Sequence, residues 1–159
     1  MLIFKTEGFE ELDSKLNELV QDIRSPSEFT AFKKILSMST RNALKPLQQD
    51  LIARAPYDGQ TNKSGIHLNE TSRIDTRIPT DKDRTSMMVN ESDAYIATLS
   101  VKKSAVSLSQ EFGNERTPAH PFIRITAEQG MKTAENVLKE ELTKRIPAYM
   151  QKILKMRTK

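Results

Sequence analysis

The side chains that do chemistry in proteins are few in this chain, and their spacing suits none of the usual reactions. Two histidines, His67 and His120, are the only imidazoles. Both fall in stretches that read as loops, and neither has a second donor at metal-ligand spacing. Cysteine is absent, which removes thiolate metal sites and disulfides together. Asp58, Asp75, Asp81 and Asp83 are scattered over loops and turns, without the paired carboxylates that acid–base work requires. There is no phosphate-binding glycine loop, dinucleotide fingerprint or nucleophile elbow. Ser64-Gly65 and Phe112-Gly113 are isolated glycine contexts of the kind that mark turns. The expectation is a binding or structural protein, not an enzyme, with no cofactor and no metal.

Charge is the second kind of chemistry on offer. The net charge is only +4, but it is unevenly distributed. From Lys139 to Lys159 seven positive residues stand against Glu140 and Glu141, whereas six carboxylates outnumber Lys5, Lys15 and Arg24 in the first 24 residues. A basic tail suits contact with DNA or with an acidic partner, and Arg145, Lys152, Lys155 and Arg157 are the candidate contacts. The same residues also suit a solvated helix end that complements the helix dipole. Tyr149 is the one aromatic in this stretch, so base stacking has little to work with. Met87-Met88 with Met131, Met150 and Met156 read as core and rim residues or as an adaptable surface.

The elements that must carry these residues follow from periodicity. At 159 residues, 36% apolar and 29% charged, the chain has the size of one domain, spanning 1–159, with a modest core. It contains no apolar run long enough to span a bilayer and no signal-peptide core, so folding in the cytosol and no membrane partner are expected. Leu2-Ile3-Phe4 reads as a short strand. Phe9, Leu12, Leu16, Leu19, Val20 and Ile23 form a helical stripe. Ser25-Pro26 is a cap and first-turn signal for a second helix, ending near Ala55-Pro56 and kinked or broken at Pro46. Residues 57–71 read as a long polar loop. Strands are expected over 74–80, 85–90 and 94–102, joined by hairpin turns at 81–83 and 91–93. Residues 104–112 fit a short helix or a fourth strand. A long helix starts near Phe122, with a kink at Pro147. The class is α+β: two N-terminal helices, a small antiparallel sheet of three to four strands, and a long C-terminal helix packed on one face.

Three groups of residues add a family resemblance. Ala55-Pro56 leads through a polar loop to Ser64-Gly65 and then Leu68, where the pattern is Ala-Pro, a gap, Thr-Gly and a leucine. Glu111-Phe112-Gly113 resembles a Glu-Phe-Gly-Thr motif. Pro118-Ala119-His120-Pro121-Phe122-Ile123-Arg124 resembles a Pro-Ala-Arg-Pro-Phe-Leu-Arg opening of the last helix. Together they are similar to the tail-completion or minor-tail-component family of long-tailed bacteriophages, the lambda-type neck proteins. The order of elements agrees over nearly the whole chain. Asn114 stands where the pattern has threonine, His120 where it has arginine, and the loop before Ser64 is longer than usual.

The motif residues have a physical reading of their own. Pro118 and Pro121 hold the chain extended before the helix, Phe122 anchors that helix to the sheet, and Gly113 permits a turn that a side chain would block. The motifs serve either the fold alone or subunit contacts as well. The resemblance implies a structural virion protein of the neck or upper tail, made in the host bacterial cytoplasm. It implies a homohexameric ring that completes the tail for head–tail joining. The neighbours implied are a tail terminator or tail tube protein and the head connector proteins, with DNA in the channel. The loop over 57–71 is then a candidate for ordering on assembly. A tail terminator or head–tail connector is the alternative within the same class, and a DNA-binding accessory protein the alternative outside it.

Overall fold

The computed structural model describes residue 21 and residues 23–57, 67–85 and 95–158. The expected strand at 2–4 and the expected helix over 9–23, apart from residues 21 and 23, lie outside them.

Helix α1 (Pro26–Arg54) begins as its sequence predicts. Ser25 is the N-cap, its hydroxyl accepting from the Glu28 N–H at 3.2 Å, and Pro26 occupies the first turn, where a proline costs no hydrogen bond. Pro46 lies inside this single helix, so the expected break is not made. Pro147 likewise lies inside the long C-terminal helix α4 (Phe122–Arg157). The two helices pack on each other along their length, and that burial offsets the one hydrogen bond each proline removes.

Helices α1 and α4 run antiparallel, as their contacts show. The Phe32 and Tyr149 rings lie 6.2 Å apart. Asn42 Nδ2 donates to Glu141 Oε2 at 3.1 Å, and Arg54 Nη2 donates to Gln129 Oε1 at 2.7 Å. Near the middle Gly130 lets the helices close up, since a Cβ there would sit 3.1 Å from Leu47 Cγ and Cδ1. The core has two clusters. One gathers Phe32, Leu142, Ile146, Tyr149 and Ile153, with Ile23 packed against it; the other gathers Leu51, Ala55 and Phe122.

The sheet is smaller than the sequence suggests. After a 3-10 turn (Leu68–Thr71), β1 (Ser72–Arg77) pairs antiparallel with β2 (Ile96–Val101), Ser72 opposite Val101 and Arg77 opposite Ile96. Among the described residues these two strands are the whole sheet, in place of the three to four expected. Residues 81–83, expected to make a hairpin turn, belong to one helical turn, α2 (Asp81–Arg84). The reason is local: the Asp83 carboxylate accepts from the Thr80 N–H and hydroxyl, a capping arrangement that starts a helix. Residues 86–94, with most of the expected middle strand and the turn at 91–93, lie outside the described residues. Residues 105–112 form a helix, α3 (Ala105–Phe112), capped by Ser104, so no fourth strand arises there.

A two-stranded ribbon needs a partner for stability, and here that partner is α1. Ser37 Oγ and Thr76 Oγ1 are 2.8 Å apart, and Gln48 Nε2 donates to the Ser72 carbonyl at 3.3 Å. The sheet therefore rests chiefly on α1, not on the C-terminal helix. The start of α4 reaches it, where Phe122 packs in a cluster with Leu99 and Val101.

Candidate functional site

Helix α3 is amphipathic in reverse. Its inward residues, one turn apart, are Ser107 and Glu111, both buried; Val106, Leu108 and Phe112 are 60%, 43% and 65% exposed. Burying a serine and a carboxylate is tolerable only if their polar atoms are satisfied, and they are. The Ser107 hydroxyl accepts from the Ser104 N–H at 2.8 Å and lies 3.1 Å from the Lys102 carbonyl.

Glu111 meets the exposed donors of another helix. The residue before α4 is Pro121, which provides no side-chain cap. The first N–H groups of a helix have no partner within it, and Glu111 supplies one from outside. Its Oε2 accepts from the Ile123 N–H at 2.9 Å, and its Oε1 from the Arg124 N–H at 3.1 Å. Arg124 completes the joint, donating from Nε to Oε1 and from Nη2 to the Glu111 carbonyl, both at 3.0 Å. The negative charge also sits favourably at the positive end of the helix dipole. The Arg124 guanidinium lies over the Phe112 ring, 5.3 Å from its centroid, within cation–π range.

The segment between α3 and α4 folds back on α3. Gly113 has φ 75° and ψ 171°, a conformation open essentially to glycine alone. A Cβ there would lie 2.9 Å from Ala119 N. Asn114 then closes a tight turn, its Oδ1 accepting from the N–H groups of Arg116 and Thr117 at 2.9 Å each. The His120 N–H donates to the Gln110 carbonyl at 2.6 Å. Pro118, Ala119 and His120 are exposed and Pro121 is half-buried.

The first group of motif residues arrives at the same end of the molecule. Ala55 is buried, its N–H donating to the Leu51 carbonyl at 2.9 Å. It clusters with Leu51 and Phe122, against which Leu68 is packed. Pro56 is half-buried, and the Tyr57 and His67 rings stand 4.3 Å apart. Ser64 and Gly65 lie outside the described residues. The structure thus joins Ala55, Leu68 and Phe122 in one apolar cluster, and Glu111, Phe112 and Arg124 in one polar clamp beside it.

The basic candidates do not form a single free patch. Arg145 Nε donates to Glu141 Oε2 at 2.6 Å, and Arg157 pairs with Glu28 at 3.0 Å. The Arg157 hydrogen bond holds the Glu28 carboxyl below the usual range, and the Arg145 hydrogen bond does the same for Glu141. Lys152 and Lys155 are exposed and make no salt bridge among the described residues. Among those residues no group of three or more histidines or carboxylates is placed to hold a metal, and no helix is long and apolar enough to cross a membrane.

What sequence reasoning missed is the outward face of α3, above all Val106 and Leu108. The available signal was Ser104 three residues before Ser107, which starts a helix and turns Ser107 and Glu111 inward together. This arrangement has the makings of a contact surface, with exposed apolar side chains and an arginine over an aromatic ring. Against protein-family models, curated proteins and solved structures alike, the chain has no match.

Proposed function

We propose that this chain is a structural protein of the neck or upper tail of a long-tailed bacteriophage, forming a ring that completes the tail and enables it to join the head. The three motif groups supply the family resemblance. The observation that carries the reading is the Glu111–Arg124 clamp, which ties the second and third groups into one unit. The clamp commits the polar side of α3 to the chain's own fold and leaves Leu108 and Phe112 outward. A helix oriented in that way is suited to being covered by another subunit. In a ring such a contact is heterologous and closes by rotation, with a six-fold tail dictating a hexamer. One face of the ring meets a tail terminator or tail tube protein and the other the head connectors; a terminator or connector ring is the neighbouring alternative.

The test is the mass of the purified full chain in solution, measured beside its copy number in intact particles. Six copies at the neck support the reading; hundreds, or none, overturn it. Exposed Lys152 and Lys155 favour a second reading, a DNA-binding accessory protein. Duplex DNA binding that weakens steeply with salt, and disappears when Arg145, Lys152, Lys155 and Arg157 are neutralised together, would favour that second reading.

A further inference from the structure

A groove of about 630 Å³ runs between the first half of α1 and the last half of α4. Ala31, Ile35 and Met38 from α1 and Ala148 from α4 give it an apolar floor. The three α1 residues fall at i, i+4 and i+7, one helix face, and Met38 is 43% exposed. The hollow has a simple origin. Phe32 against Tyr149 and Asn42 against Glu141 set the register of the two helices, and in that register Ala31 and Ala148 stand at about the same level. Both are exposed, and a methyl group is too short to fill the space beside the longer side chains.

The rim is basic. Lys34 stands on one side and Lys144 and Lys152 on the other. All three are exposed, and none of them makes a salt bridge among the described residues. The two carboxylates that border the groove are already engaged, Glu28 by Arg157 and Glu141 by Arg145 and Asn42. Lys144 and Lys152 lie two turns apart, about 12 Å along α4, with Lys34 across the groove. Cations spread in this way do not converge on one anionic headgroup. They match carboxylates distributed along a rod, and the floor from Ala31 to Met38 runs about 10 Å in the same direction. The complementary object is a helix with apolar residues at i, i+4 and i+7 and carboxylates on its flanks.

We propose that this groove is a docking site for an acidic amphipathic helix of a partner protein, its apolar face on Ala31, Ile35, Met38 and Ala148 and its carboxylates toward Lys34, Lys144 and Lys152. The inference does not rest on the ring reading. The groove lies at the opposite end of α4 from the Glu111–Arg124 clamp, and the copy number in particles leaves it untouched.

Fluorescence anisotropy on the full chain tests it with a labelled synthetic peptide of about 14 residues, leucines on one helical face, glutamates on both flanks and alanines behind. Binding is expected with a Kd on the order of 10 μM. The same peptide with its leucines scrambled, and one with lysine for every glutamate, are expected to bind about tenfold more weakly. In the protein, Lys144→Glu/Lys152→Glu and, separately, Ala148→Phe are expected to weaken binding about tenfold with the helical circular dichroism retained. Lys102→Glu/Lys103→Glu makes the same charge change at the other end of the molecule, beside Val101 and the start of α4, and is expected to leave binding within about twofold. The two peptide controls use the natural chain, so they decide even if a variant does not fold. A scrambled or lysine peptide that binds as tightly, or an equal loss in Lys102→Glu/Lys103→Glu, overturns the proposal. So does the absence of binding at about 1 mM peptide. Oleate bound in place of the peptide, and lost in Ala148→Phe, would assign the groove to a lipid and overturn it as well. Self-association that excludes the peptide, and that Ala148→Phe abolishes, would overturn it in favour of a second copy.

Discussion

Glu111 and Arg124, thirteen residues apart, hold each other through both side chain and backbone. The Glu111 carboxylate accepts from the Arg124 N–H and from its guanidinium, while that guanidinium donates to the Glu111 carbonyl. The partners are unequally sheltered: the Glu111 side chain is 4% exposed and that of Arg124 is 48% exposed. Removing the arginine therefore leaves the carboxylate its two backbone donors. Removing the glutamate orphans the start of a 36-residue helix.

That inequality gives the first prediction. Glu111→Ala is expected to cost about 2–4 kcal/mol of folding stability, because two N–H groups and a buried space lose their partner. Arg124→Ala is expected to cost about 1 kcal/mol, the loss of a half-exposed charged hydrogen bond. Urea unfolding of the two variants checks the ratio. Equal losses would mean that the ion pair, and not the capping of α4, holds the joint.

A second prediction concerns the turn that brings the two residues together. Gly113→Ala places a methyl against Ala119 N in a backbone conformation that side chains avoid, at a cost of about 1–3 kcal/mol. The effect is local to the α3–α4 joint. Combined with Glu111→Ala, it is expected to add less than the sum of the two, since both loosen the same contact. A thermal-unfolding double-mutant cycle measures the shortfall; full additivity would separate the turn from the clamp.

These features were legible in the sequence to different degrees, for physical reasons. Ser25-Pro26 and Phe122 set the starts of α1 and α4 through adjacent residues, so local chemistry was enough. Gly113 was readable because only glycine suits such a turn. The cap on α4 was not readable, because its acceptor lies eleven residues upstream on another helix. Helix α3 was ambiguous because Val106 and Leu108 alternate as in a strand while Leu108 and Phe112 are spaced as in a helix. The helical turn at Asp81 was misread as a hairpin, although Thr80 and Asp83 stand at capping-box spacing. The seat of the sheet on α1 depends on distant partners such as Ser37 with Thr76, which no local pattern announces.

Acid should loosen the fold. Glu28 is held low chiefly by Arg157, Glu141 by Arg145, and Asp83 by Arg77 with help from Thr80. Each carboxyl binds its proton less tightly in the folded chain than in the unfolded one. Its stabilisation is complete above the ordinary carboxylate value, 4.5 for glutamate, and is lost as pH falls through the depressed folded value. The urea midpoint is expected to fall steadily below about pH 4.5. In Glu28→Gln that fall is expected to be shallower. An identical slope would remove the Glu28–Arg157 pair from the acid response.

The outward face of α3 supplies the last prediction, which separates folding from assembly. Phe112 is 65% exposed, and the Arg124 guanidinium lies over its ring. Phe112→Asp is therefore expected to change folding stability by about 0.5 kcal/mol or less, as exposed substitutions do. If α3 is covered by a neighbouring subunit in a ring, the same substitution replaces an apolar contact there with a carboxylate that must be desolvated, at a cost in every interface. A closed hexamer repeats the contact six times, so a loss that a single interface would tolerate abolishes the ring. The measurements are the thermal midpoint of the variant, its mass in solution and its incorporation into particles. Unchanged stability with lost assembly assigns the contact to this helix. Unchanged assembly would place the ring contact elsewhere on the molecule and leave the clamp as an element of the fold alone.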